Sequence, residues 1–432
     1  MRKRIMSIAV LLLSVCASAQ ELLLIDTLTV DERKILRDTY VERKKSFLAY
    51  VDDQVAKPER KKVKEIFADK YDNLLKRIDK NELTSDSPLN DYLNKLLTLI
   101  RAKNPELPNS IVLLLSREFQ SNAASIGDGT IIVNNYLLSD LDSEDELAVI
   151  ICHEIAHYSL KHPVNSVVDF VRKDNSDEMK KQTKKLKQQK YNKQSDAANL
   201  LKDIAYKNSE ESRKKEIEAD SLGFLYYVNL DRNRYQVVRT LEKLRDSDFE
   251  DDSLTVADYR SLFFDPQLHF SEAWFKIDNY DIYHYKESTK FNTDSLRTHP
   301  NVGERIAALQ RTFPQFLETD DPSPITVSDT FTQWHDNAML QNVYNEHLAE
   351  HYGNSLYEAL KLYKREQTLF LKKMIGLNFR KLYEAQKNYR LNRYVSHVNI
   401  HKYTSSYNLF CTFINNLRLG DLETFANYFS TE

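Results

Sequence analysis

The sequence predicts a mainly helical α+β fold with one small sheet, on three observations. Seven glycines and ten prolines among 432 residues are too few for a turn-dense β architecture. Apolar residues recur at helical spacing along much of the chain, as in Val63, Ile66, Phe67, Tyr71, Leu74 and Leu75. Two short segments read as strands: "SIVLLLS" (110–116) and "TIIVN" (130–134), the second introduced by "GDG". With 29% charged residues and a mean hydropathy of -0.57, the composition is that of a soluble globular chain long enough for two or three domains.

Residues 1–19 read as a secretory signal peptide. Arg2, Lys3 and Arg4 precede a short apolar core, and Ala17-Ser18-Ala19 offers a small-x-small cleavage pattern. Secretion into a periplasm or medium is therefore expected. Lipid attachment at Cys16 fits less well, because Val15 is bulky for that signal. Losing three basic residues takes the net charge from -3 to -6, which gives no electrostatic case for nucleic acid or an anionic membrane as partner. Cys152 and Cys411 are expected to be separate thiols. No later segment has the apolar length of a membrane span.

Residues 20–85 form a charged N-terminal helical region, and 86–318 a compact middle domain. "DDPSP" (320–324) reads as a linker, and 325–432 as a C-terminal helical region, expected to be separable by a cut near Asp320. Its paired helical patterns are of the kind that build tetratricopeptide-like binding modules, although no repeat period is established. "KKQTKKLKQQKYNKQ" (180–194) is strongly basic and reads first as a solvated face.

The chemistry concentrates in "CHEIAHYSLKHP" (152–163). Ser143 and Glu146 predict a capping box before an apolar-periodic run, and Pro163 predicts its end. On that helix His153 and His157 share a face one turn apart, so both imidazoles can reach one ion. Glu154 can then address a water as general base. A catalytic zinc needs a third protein ligand and an open position. Leu160 and Pro163 stand where metzincins place glycine and histidine, so that class is excluded. "KKEIEADSLGF" (214–224) offers Glu216, with Asp220 one turn on along the same face; a pair of this kind in isolation reads first as a solvated helix face. His162 falls near the helix end, away from the metal face, and reads as structural.

"HEIAH" followed by "EIEAD" and Gly223 resembles peptidase family M48, the HtpX-, Oma- and BepA-like zinc metallopeptidases. "NAASIGDGTIIVNNYLL" (122–138) resembles the family's edge strand before the metal helix, and "THPNVGERIAAL" (298–309) its Thr-His-Pro…Glu-Arg-Ile segment. Ala124-Ser125 and Asp128 depart from the usual pattern, and the gap before Glu216 is lengthened. The resemblance implies a zincin-like core and one zinc per chain on His153, His157 and Glu216. It also implies Glu154 as base, with Asp220 holding a ligating imidazole. His299 would assist the oxyanion or block the open zinc position.

As an exposed edge strand, Thr130, Ile131, Ile132 and Val133 would pair with an extended substrate by its backbone, which suits unfolded or misassembled proteins; the alternative is a strand paired on both sides. The function expected is a secreted or periplasmic zinc metalloendopeptidase, with envelope protein quality control as one setting. The competing reading is a zinc-bound but catalytically quiet chaperone or interaction protein working through the C-terminal helices.

Overall fold

The computed structural model describes residues 29–85, 87–176, 181, 193–246, 254–276, 302–317, 327–399 and 402–430. The expected leader, His299 and most of the lysine-rich stretch lie outside them. The fold is mainly helical α+β, as the composition predicts.

The described residues open with an antiparallel pair, α1 (Val30–Gln54) and α2 (Lys57–Asp79), then β1 (Leu83–Thr84) and α3 (Pro88–Lys103). Next come β2 (Val112–Ser116), β3 (Ala123–Ser125) and β4 (Thr130–Asn134), followed by α4 (Asn135–Asp140), α5 (Glu144–Ser159) and α6 (His162–Asp174). A long α7 (Lys193–Val228) leads to α8 (Gln236–Asp246), α9 (Val256–Leu262) and α10 (Val302–Thr312). The C-terminal helices are α11 (Asp329–Leu348), α12 (Tyr352–Arg365), α13 (Leu369–Lys387), α14 (Ser405–Asn416) and α15 (Leu419–Ser430).

The sheet order is β1-β2-β4-β3, with β2 and β4 parallel and both β1 and β3 antiparallel to their neighbours. Both central strands are continuous apolar runs because both faces are covered. Leu113, Leu115, Ile131 and Val133 join the core around α5, while Leu114 and Ile132 pack under α1 and α2.

This arrangement corrects one expectation. Thr130, Ile131, Ile132 and Val133 are buried in an interior strand, paired with β2 on one side and β3 on the other. Among the described residues, the free edge on that side is β3. Pairing partners far apart in sequence decide which strand lies outside, and an apolar run alone does not reveal them.

The turn between β3 and β4 explains the aspartate within "GDG". Asp128 accepts from the Tyr71 hydroxyl at 2.6 Å and from the Thr130 N–H at 2.8 Å, and pairs with Arg43 at 3.3 Å. It thus anchors the α1–α2 pair to the sheet. Gly129, at φ 93°, approaches the chain so closely that a Cβ there would sit 2.9 Å from the Ser110 carbonyl oxygen.

Packing crosses the linker in both directions. From α11, Phe331 and Ala338 enter the core around α5, and Asn135 donates to the Ala338 carbonyl at 2.9 Å and to Asn342 at 2.6 Å. Further along the same helix, Val343 enters the C-terminal core. That second core also takes Leu254, Tyr259, Phe263, Leu268 and Trp274 from before the linker; the Phe263 ring lies 4.8 Å from that of Phe425. The boundary at "DDPSP" is thus one of chain composition, and the hydrophobic packing does not follow it. The two thiols behave as expected: Cys152 and Cys411 are free and buried in different cores. Among the described residues no helix is long and apolar enough to cross a membrane.

A chain ending near Asp320 would expose Tyr259, Phe263 and Trp274 and strip α11 from α4. It is expected to aggregate. A soluble, monomeric, cooperatively unfolding truncation by size exclusion and urea titration would show that the cores separate after all.

Candidate metal centre

The site is built on α5, which is apolar on nearly every side. Leu147, Ala148, Val149, Ile150, Ile151, Cys152, Ile155 and Ala156 are all buried, and the helix packs against α3, α6, α7, α8 and β3. Ser143 caps its start by accepting from the Glu146 N–H. Glu146 does not close the predicted box on Ser143; its carboxylate accepts instead from the Asp142 N–H at 2.8 Å. Three acidic residues in the first turn complement the helix dipole. The helix ends at Ser159, and the chain turns through Lys161 in the left-handed region, at φ 57°. Pro163 therefore lies in the first turn of α6, where its missing N–H costs nothing.

One turn apart on α5, His153 and His157 bring their Nε2 atoms to 3.0 Å. Glu216, on α7, lies with one oxygen 3.5 Å from His153 Nε2 and the other 3.5 Å from His157 Nε2. A tetrahedral ion with bonds of roughly 2.0–2.1 Å spaces its ligand atoms about 3.3 Å apart. Two imidazoles and a carboxylate, converging at that spacing, fit a zinc-type ion, and the three residues form a group that can hold one.

The crossing of α5 and α7 permits this convergence. A Cβ on Gly223 would lie 2.9 Å from His153 Cα, so α7 reaches α5 at backbone contact. One turn before Gly223, Asp220 Oδ1 is 3.0 Å from His153 Nδ1. Arg305 of α10 grips that carboxylate with both arms of its guanidinium, at 2.6 and 2.5 Å, and stands 3.6 Å from Glu216. Asp220 and Arg305 are both buried. Arg305 thus ties a third helix to the centre. Sequence reasoning assigned it no role, although it stands in the quoted "GERIAAL" segment; its partner is on a different helix, and no local spacing links them.

Burial alone would raise the Asp220 pKa, but Arg305 and then His153 together outweigh it by favouring the ionised form, so its pKa is held below the usual carboxylate range. For His153 burial opposes protonation, but hydrogen bonding to Asp220 and Glu216 outweighs it and the pKa is raised. Burial and then the adjacent His153 charge push His157 down. With their Nε2 atoms 3.0 Å apart, one ring must donate a hydrogen to the lone pair of the other.

Glu154, next to the first histidine, turns to the sheet. Its carboxylate accepts from the Ser125 N–H at 2.8 Å. In the β3–β4 ladder the bonds run from Asn134 N to Asn122 O and from Ile126 N to Thr130 O. By antiparallel alternation, the backbone groups of Ala123 and Ser125 then point off the free edge. The acid next to His153 therefore meets the outward N–H of the edge strand.

His162 departs from the helix-wheel expectation. Instead of facing away, its Nδ1 lies 3.0 Å from His157 Nδ1, and its Nε2 3.1 Å from Glu218. The wheel of α5 cannot be extended past Leu160, because the left-handed turn at Lys161 redirects the chain.

The model of Peptidase family M48 matches residues 87–313, just over half of the chain. This chain belongs to peptidase family M48. The family is one of metallopeptidases, and His153, His157 and Glu216, the group that can hold an ion, lie inside the matched span. A protein of Vibrio cholerae serotype O1 named as a beta-barrel assembly-enhancing protease is 26% identical over 108 residues, which is 25% of this chain and 22% of that protein. The match thus spans under a quarter of the relative's length.

The raised pKa of His153 predicts a linkage. Metal must displace the proton that His153 takes up in the free protein, so zinc affinity should rise with pH through neutrality. Calorimetry at pH 7 in buffers of different ionisation enthalpy should show about one proton released per zinc bound. A pH-independent affinity between pH 6 and 8 would contradict a protonated His153 in the free protein.

Proposed function

We propose that this M48 chain is a zinc-dependent metalloendopeptidase that cleaves unfolded or misassembled protein outside the cytoplasm. The observation that carries the reading is the placement of Glu154 between the His153–His157–Glu216 group and the free edge of β3. A structural metal site does not need an acid so placed. In this reading the three residues hold one zinc, Asp220 fixes the tautomer of His153, and Arg305 holds Asp220 in its ionised form.

An extended peptide adds to β3 as an outer strand, pairing with the outward backbone groups of Ala123 and Ser125. The recognition is through the backbone and tolerates varied sequence. Zinc bound at this group supplies Lewis acidity towards the scissile carbonyl and lowers the pKa of water. Glu154 takes a proton from the attacking water and returns it to the departing amine. The Ser125 N–H holds that carboxylate in orientation until a substrate strand competes for the edge.

The envelope setting rests on the signal-like leader, and the name of the Vibrio cholerae relative is in keeping with it. His299 is proposed either to assist the oxyanion or to occupy the open zinc position.

Casein cleavage by the zinc-loaded chain, abolished by a chelator and restored by zinc, tests the reaction. Glu154→Gln should lower turnover by about two to four orders of magnitude with zinc still bound. Cleavage that survives in Glu154→Gln, or none by a fully loaded wild-type chain, would refute the enzyme reading.

In the same assay, His299→Ala should cost roughly two to three orders if the imidazole aids the oxyanion, and should raise basal cleavage if it blocks the metal. An unchanged rate would remove both roles.

A further inference from the structure

His162 is buried and touches a metal-ligating residue, yet nothing in the reaction above uses it. The geometry fixes which way its hydrogen bonds run. His157 turns Nε2 to the other ligand atoms, so as a neutral ligand it carries its hydrogen on Nδ1. That nitrogen lies 3.0 Å from His162 Nδ1. Two ring nitrogens at this distance bond only if one presents a lone pair. His162 must therefore accept at Nδ1 and carry its own hydrogen on Nε2. Its Nε2 lies 3.1 Å from the Glu218 carboxylate, the acceptor that this tautomer requires.

The backbone is arranged to the same end. α5 stops at Ser159, Lys161 adopts φ 57° without being glycine, and α6 starts at His162 itself. Lys161, a residue with a Cβ, is strained in that left-handed conformation, so the turn is held by its surroundings. The turn it makes returns the His162 ring over His157, with ring centroids 5.0 Å apart.

We propose that His162 and Glu218 are positioning residues for the metal centre, a relay that fixes the tautomer and ring orientation of His157. The proposal rests on His157 being a zinc ligand, as in the function proposed above. The two histidines are then held differently. His153 donates directly to a buried carboxylate locked by Arg305, whereas His157 donates through a second imidazole to a carboxylate at the surface. The sequence that encodes this is His157-x-x-x-x-His162 on one side and Glu216-x-Glu218 on the other, so ligand and relay acceptor share one turn of α7.

The test is zinc affinity of the full chain, read by competition with a chromophoric chelator. His162→Leu fills the space without an acceptor and should weaken zinc binding about 10- to 100-fold. His162→Asn places an oxygen near the position of Nδ1 and should recover most of that loss, to within about threefold of wild type. An unchanged affinity in His162→Leu, or an Asn variant as weak as the Leu variant, would overturn the relay and leave His162 as packing.

Nitrogen-15 NMR of the unaltered zinc-loaded protein gives a second reading that needs no variant. It should show His157 protonated at Nδ1 and His162 at Nε2, and a His162 hydrogen on Nδ1 would overturn the proposal. A wild-type chain that binds no zinc would sink the proposed function and the relay together. Zinc binding and cleavage without dependence on His162 would sink the relay alone.

Discussion

Backbone contact between α5 and α7 at Gly223 is the constraint from which the centre follows. Helices normally pack 8–10 Å apart, kept there by side chains. Here the absent side chain of Gly223 allows α7 to touch α5 beside His153. Glu216 and Asp220, on the same helix, are then delivered to opposite nitrogens of that imidazole. Arg305 closes the arrangement from α10 and compensates the burial of two carboxylates. A buried Asp220 without Arg305 would be an uncompensated charge or a protonated acid, and neither would hold the His153 N–H as firmly. Helix approach, charge compensation and ligand orientation are thus one structural problem with one solution.

Much of this was legible in the residues. The helical character followed from scarce glycine and proline, and the α5 segment from its cap and apolar run. His153, His157 and Glu216 stood out by type and spacing, and the structure brings their donor atoms together. What escaped was non-local. β4 reads as an edge from its resemblance to a family edge strand just before the metal helix, but strand order is set by its pairing with β2 and β3. His162 was placed by a helix wheel that the Lys161 turn interrupts. Arg305 reaches Asp220 from 85 positions away, which no periodicity records.

The linker is the third instance. Proline and aspartate mark "DDPSP" as a break in helical chain, and that reading concerns backbone only. Side-chain packing obeys a different logic. Phe331 and Ala338 lie after the break yet serve the core around α5, and Tyr259, Phe263 and Trp274 lie before it yet serve the C-terminal core. α11 carries residues of both cores along a single rigid helix. Any partner that bends or shifts the C-terminal helices would act on α4 through Asn135 and Tyr136, and α4 follows directly from β4.

The lengthened gap between the histidines and Glu216 has a consequence of its own. An ion bridging His157 and Glu216 closes a loop of roughly sixty residues, and closure entropy grows only with the logarithm of loop length, by about 0.6 kcal/mol per doubling. The lysine-rich addition therefore costs the centre little, because α5 and α7 are brought together by their own packing. Chain length between the ligands is nearly free to vary, so this interval can acquire new sequence without new risk to the metal. The same freedom does not extend to the four residues separating His157 from His162, where one inserted residue would turn the imidazole out of register.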